Sequence, residues 1–177
     1  MSETSRAHKE KAPKKFGFAV VICSTSRYYA SEAGKHVTDE SGDLIVNLLE
    51  ASGHSVVFRD LIPDDKTFIE VSVKRALQSK RVDAIITSGG TGITPSDVTI
   101  ETVEPLLEKK LPGFGEIFRA ISYDEIGSAA VMTRALAGVV QGKAVFCIPG
   151  SLNAVRLCLE KLILPEIGHV ILHARER

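Results

Sequence analysis

The chain has 177 residues, 44% hydrophobic and 25% charged, the balance of one soluble globular domain large enough to bury a core. Its 22 basic residues meet 22 acidic ones, so no net field draws it to nucleic acid or to an anionic membrane, and any phosphate must be caught by a local device. The lack of Trp and the 6% aromatic content argue against a base-stacking platform.

In chain order, residues 1–15 ("MSETSRAHKEKAPKK") are polar and basic without apolar periodicity, and read as a flexible arm ahead of a single domain over 16–177. Phe16 to Thr25 is a near-continuous apolar run, as expected of a strand buried on both faces. A polar loop, "STSRYYASEAGKHVTDESG", leads to a helix with Leu44, Ile45, Leu48 and Leu49 on one face, closed by Gly53. The second strand is "HSVVFRDLI" and the next loop "PDD"; Ile69, Val73, Ala76 and Leu77 then mark another amphipathic helix. "VDAIITS" is a third strand, which opens into a glycine-rich loop. A helical stretch starts at Asp97 and is interrupted or restarted at Pro105. "PGFGEIFRAIS" and "EIGSAAVMTRA" are also helical. "GVVQGKAVFCIPG" is a hairpin about Gln141-Gly142, so one strand joins the sheet antiparallel. "SLNAVRLCLEKLI" is a helix with a Leu152, Val155, Leu159, Leu162 and Ile163 stripe, and Pro165 opens or kinks a last helical stretch to Ala174.

Cys23, Cys147 and Cys158 are odd in number, form no CxxC, and read as buried thiols of a reducing compartment. His169 and His173, spaced i,i+4, lack an acidic third ligand in a recognisable motif and read as a surface or interface pair rather than a metal grip. No stretch of 18 apolar residues and no hydrophobic signal core occur, which places the expected location in the cytoplasm, with no membrane and no nucleic-acid partner.

Repeated strand–loop–helix units predict right-handed crossovers and a largely parallel sheet. Loops that follow parallel strands gather at the carboxyl edge, where ligands bind in such sheets. Four distant loops therefore converge: Ser24–Arg27, Pro63–Asp65, Ser88–Asp97 and Pro149–Asn153. In "TSGGTGITPSD", Gly89, Gly90 and Gly92 expose backbone amides, while Thr87, Ser88, Thr91 and Thr94 add hydroxyls. The loop matches neither a Walker A motif nor a dinucleotide fingerprint, so a tight structural turn and a binding loop both remain open. Asp97, Asp64 and Asp65 could each cap a helix. Two carboxylates brought to the rim where amides gather would also fit Mg²⁺ held between carboxylates and phosphates. Pro149, Gly150 and Ser151 repeat the turn-and-cap device. Thr25, Ser26 and Arg27 could face a ligand pocket or lie in a solvated loop, and Glu116 and Arg119 could wall the site or face solvent.

"TSGGTGITPSDVT", "LPGFGEIFR", "EIGSAAVMTRALAG" and "IPGSLNAV", in this order from about Phe16 onward, resemble the MoaB/Mog family of molybdenum cofactor biosynthesis proteins, and the third segment favours its MoaB branch. A related domain occurs in gephyrin-like and MoeA-like proteins. The resemblance implies a three-layer α/β/α sandwich with a mixed, mostly parallel sheet. It implies Mg²⁺-ATP-dependent adenylylation of the terminal phosphate of molybdopterin, with pyrophosphate released before molybdenum or tungsten insertion. It maps catalytic aspartates onto Asp64 and Asp97, the GGTG stretch onto Gly89–Gly92, and the PGS turn onto Pro149, Gly150 and Ser151. It further implies a homotrimer or homohexamer, with a downstream MoeA-like metal-insertion protein as partner. This chain carries Ser96 where many relatives have Arg, and Leu152 where many have Pro. The competing readings are a non-catalytic molybdopterin carrier and a generic nucleotide-binding module.

Overall fold

The computed structural model describes residues 15–176; the basic-arm expectation therefore lies outside the described residues except at Lys15. Six strands form one mixed sheet in the order β2-β1-β3-β6-β5-β4. β1 (Gly17–Cys23), β2 (Ser55–Ile62), β3 (Ala84–Ser88) and β6 (Lys143–Ile148) run parallel, while β5 (Leu136–Val140) is reversed and pairs antiparallel with both β6 and the two-residue β4 (Lys109–Lys110). The hairpin between β5 and β6 turns at Gln141 (φ 52°) and Gly142 (φ 70°), the left-handed pair that a two-residue turn requires.

Every residue of β1 is buried, and its alternation divides the interior. Phe18, Val20 and Ile22 pack with Ile45 and Leu49 of α2 (Glu40–Ala51), Phe118 of α5 (Pro112–Ile126), Val155 of α6 (Leu152–Leu157) and Ile171 of α7 (Leu164–Arg175). Ala19, Val21 and Cys23 face the opposite side, against Ile69 and Val73 of α3 (Lys66–Gln78) and Ile100 and Val103 of α4 (Thr99–Val103). Helices thus cover both faces of the sheet, the expected three-layer α/β/α arrangement.

The structure departs from the sequence reading in two places. The stretch after β1 is not all loop: Thr25–Glu32 forms a helix, α1, that buries no residue and so leaves no apolar stripe to read. The segment from Gly127 to Met132 is 3₁₀ rather than α. Pro165 opens the last helix as expected: it lies in the first turn of α7, where its missing N–H leaves no bond unmade, directly after the π-helical stretch Cys158–Ile163. No helix among the described residues is long and apolar enough to cross a membrane.

Candidate active site

Strand register brings the loop ends level. Cys23 pairs with Ile62, Ile22 with Ser88, and Ser88 with Ile148. The ladder continues one residue beyond the strands, where Ser24 N–H donates to the Ile62 carbonyl (2.8 Å) and Gly89 N–H to that of Ile148 (3.1 Å). Gly150 packs directly on the glycine loop, since a Cβ there would lie 3.4 Å from the Gly89 Cα. Buried Ser88 points its hydroxyl at the Pro149 carbonyl, 3.5 Å away. All four predicted loops therefore meet at one rim.

The neighbouring carboxylates Asp64 and Asp65 divide their work. Asp65 caps α3, accepting from the N–H groups of Thr67 (2.8 Å) and Phe68 (3.2 Å). Asp64 instead turns into the rim. Its Oδ2 accepts from the Thr25 N–H (2.9 Å) and hydroxyl (2.8 Å), and its own N–H donates back to Thr25 Oγ1 (2.9 Å). Its Oδ1 faces Gly90, where a Cβ would lie 2.8 Å from it and would also strike the Thr99 hydroxyl. Gly90 has φ +62°, so both its backbone conformation and the carboxylate beside it require the absence of a side chain.

Asp97 does not cap the following helix: Val98 occupies the cap position of α4 without a side-chain bond. Its Oδ2 accepts from the Thr94 N–H (2.9 Å) and hydroxyl (2.6 Å), so the carboxylate closes the loop on itself. A Cβ at Gly92 would lie 2.7 Å from this oxygen, which places Asp97 against the same turn that Asp64 flanks two residues earlier. Partial burial pushes the Asp97 carboxyl up, but hydrogen bonds from Thr94 and from the Gly92 N–H, together with the Arg134 charge, outweigh it and hold the group below the usual carboxylate range. Thr99 anchors the loop from below, its hydroxyl donating to Gly89 O (2.9 Å) and its N–H to Gly90 O (3.0 Å). The N–H groups of Gly90 and Thr91 have no partner among the described residues.

On one flank of the rim, Pro149, Ser151 and Asn153 share a cavity of about 130 Å³ with Phe118, Ser122 and Glu125 of α5. Asn153 hydrogen-bonds Glu125 across it, and Ser151 caps α6 through the Ala154 N–H (3.3 Å). Glu116 is exposed and does not line this cavity, because it projects from a different side of α5 than Phe118, Ser122 and Glu125. On the other flank, Arg27, Thr38, Ser41 and Gly150 line a polar hollow of about 260 Å³. Arg27 is held there by buried Asp39, while Ser26 is exposed in the first turn of α1. Cys23 and Cys147 lie buried below the rim, and burial pushes both thiols up to about 12, which unsuits them as nucleophiles. His169 and His173 stack far from the rim, beside the edge strand β4, and no group of three or more His, Cys, Asp or Glu among the described residues could hold a metal.

Sequence reasoning missed Thr99, Asn153, Glu125 and, above all, Arg134, whose guanidinium reaches the carbonyls of Thr91 and Asp97. The hairpin held the signal. A strand antiparallel to β6 must start where β6 ends, so the residues before Leu136 had to come to the rim.

An open, mostly parallel α/β sheet whose strand-end loops gather bare amides and two carboxylates at one rim has the architecture of a ligand-binding α/β domain, with its site at the carboxyl ends of the strands. The sequence matches the family described as "Probable molybdopterin binding domain" over residues 19–169. It is 45% identical to Molybdenum cofactor biosynthesis protein B of Bacillus subtilis (strain 168), over 96% of each chain. It is 43% identical to a protein of Pyrococcus furiosus named Molybdopterin adenylyltransferase, over 96% of this chain and 97% of that one. A crystal structure of the tungsten cofactor synthesizing protein MoaB from Pyrococcus furiosus superposes with a TM-score of 0.83 at 43% identity, covering 93% of this chain and all of that one. The chain belongs to this molybdopterin-binding family, in its MoaB branch.

Proposed function

We propose that this chain adenylylates the terminal phosphate of molybdopterin with ATP and releases pyrophosphate. The carrying observation is that Asp64 Oδ1 and the Asp97 carboxylate flank one turn, Gly90–Gly92, in which the Gly90 and Thr91 N–H groups have no partner among the described residues. The Pyrococcus furiosus relative named Molybdopterin adenylyltransferase supports the same reading.

In the reaction a phosphate oxygen of molybdopterin forms a bond to the α-phosphorus of ATP. The bond from that phosphorus to the α,β-bridging oxygen breaks, and the electron pair leaves on pyrophosphate. No covalent protein intermediate is needed, so positioning and charge stabilisation carry the catalysis. The Gly90 and Thr91 N–H groups donate to phosphate oxygens, which glycine lets approach the backbone closely. Asp64 and Asp97 fit Mg²⁺, a hard cation that takes one or two carboxylates plus substrate phosphates. Asp64 keeps Oδ1 clear of the donors that occupy Oδ2, and Asp97 is held ionised. When bound, Mg²⁺ neutralises charge on the phosphate oxygens. Thr25 fixes the Asp64 carboxylate, and Pro149, Gly150 and Ser151 bound the rim on the pterin side.

We also infer a homotrimer or homohexamer, supported by the exposed apolar side chains Ile117, Tyr123, Ile126, Val131 and Met132 beside β5. The cytoplasm suits the three buried free thiols, and the product suits a downstream MoeA-like protein that inserts the metal. Incubating the purified protein with Mg²⁺-ATP and molybdopterin tests the reading, with adenylylated pterin and pyrophosphate as the readout. Tight binding of molybdopterin without product would identify a carrier instead.

A further inference from the structure

We propose that Arg134 is a positioning residue for this reaction, a clamp that sets the shape of the glycine loop from the strand that enters the sheet in reverse; this rests on the adenylyl-transfer reading above. From Thr87 to Asp97 the loop contains neither Lys nor Arg. Its cation comes from 37 residues further on. Arg134 precedes β5, whose first residue, Leu136, pairs with Cys147 near the carboxyl end of β6. The segment is pinned from behind, because α5 passes so close that a Cβ at Gly115 would lie 2.6 Å from the Ala135 carbonyl.

Each face of the guanidinium fork has a task. Nε donates to Thr91 O (3.2 Å) and Nη2 to Asp97 O (3.3 Å), so one planar group ties the two ends of the 91–97 turn. Nη1 and Nη2 grip the Glu101 carboxylate on α4. In a trans peptide the C=O and the following N–H point in opposite directions. Holding Thr91 O against Arg134 therefore turns the Gly92 N–H to the other side of the peptide, while Asp97 Oδ2, which lies against Gly92, closes the same turn through Thr94. Glu101 already matches the Arg134 charge, which makes the role geometric and distinguishes it from a phosphate ligand. A lysine has one point of donation where the site uses a fork.

The test combines Arg134→Gln, Arg134→Lys and Glu101→Gln, read by steady-state kinetics and by amide hydrogen exchange at Thr94 and Asp97, whose N–H groups close the loop, without substrate. Arg134→Gln should lower kcat about 10- to 100-fold with KM for ATP changed less than about threefold, the signature of misplaced groups rather than lost substrate binding. Exchange at Thr94 and Asp97 should quicken while the thermal midpoint stays within a few degrees. Arg134→Lys should recover less than about threefold of the loss, and adding Glu101→Gln to Arg134→Gln should cost nothing more, because Glu101 acts through the clamp. Wild-type kcat with wild-type exchange in Arg134→Gln would overturn the proposal. So would full recovery by lysine, or a raised KM at unchanged kcat. If the unaltered protein makes no adenylylated product, the reaction assignment fails, and the exchange measurement still decides whether Arg134 holds the loop.

Discussion

The two ends of the sheet follow different rules. Across β2, β1, β3 and β6 the strands run parallel and the interior is covered on both faces; their carboxyl ends open into polar loops. Beyond β6 the direction reverses, β4 shrinks to two residues, and the flanking helix and 3₁₀ turn leave Tyr123 62% and Val131 81% exposed. The parallel end gathers carboxylates and free amides, while the reversed end presents apolar side chains that ask for a partner. Chemistry and assembly should therefore be separable by mutation. The two ends cross at Arg134, because reversal puts the start of β5, not its end, at the rim, and at α5, whose inner side walls the rim cavity with Phe118, Ser122 and Glu125.

The largest effect belongs to the parallel end. Asp64→Ala should reduce adenylyl transfer about 10³-fold, the scale seen when one electrostatic stabiliser is removed from a preorganised site. Its structural cost is the clasp with Thr25, a loss of about 1–2 kcal/mol. Asp97→Ala should cost similar activity and also quicken amide exchange at Gly92–Thr94, since its carboxylate holds that turn closed. The mass in solution should not change in either variant. Near-wild-type turnover in Asp64→Ala would remove that carboxylate from the mechanism and leave the loops as a binding cradle.

Much of this end was legible because burial on both faces writes a strand as an unbroken apolar run, as in Phe18–Cys23. The convergence of four loops followed from chain direction alone. The local pattern could not separate Asp64 from Asp65, although the family resemblance pointed to Asp64: adjacent residues in a turn point different ways, and only the placement of α3 decides which one caps it. Likewise α1 buries nothing, so no periodicity marks it, and Asp97 looked like a helix cap because capping and loop closure both place an Asp before a helical segment. Glu116 was ambiguous for the reason any helical residue is, since the cavity-facing side is fixed by tertiary packing.

A second, smaller effect tests how the parallel end is held together in the hollow beside the rim. Buried Asp39 accepts from Arg27, Arg59, Ser41 (3.1 Å) and the Gly42 N–H (3.2 Å), and so supports the loop after β1. Burial pushes its carboxyl up, but Arg59, the Gly42 N–H and Arg27 outweigh this and hold it below the usual range. A carboxylate depressed in the folded state contributes stability that is full above its unfolded pKa, about 3.9, and is lost as pH falls through the lower folded value. Asp39→Asn should thus cost about 2 kcal/mol at neutral pH, the worth of charged hydrogen bonds that stay partly solvated, and progressively less as pH falls from about 4 through the lower folded value. Denaturant melts across that range check it. A pH-independent difference would mean that packing rather than ionisation carries the role.

The smallest effect on the folded chain should come from the reversed end, and there the comparison is sharpest. Val131 is 81% exposed, so Val131→Glu removes almost no intrachain contact and should change chain stability by less than about 0.5 kcal/mol. If the patch of Ile117, Tyr123, Ile126, Val131 and Met132 is a contact between copies, the same substitution buries an unpaired carboxylate in that contact, at several kcal/mol. Light scattering after size exclusion should then show smaller particles, while turnover per chain stays within about threefold of wild type because the rim is built from one chain's own loops. An unchanged mass would move the assembly surface elsewhere. A lower mass accompanied by lost turnover would mean that a second copy completes the site, and the separation of chemistry from assembly would fall.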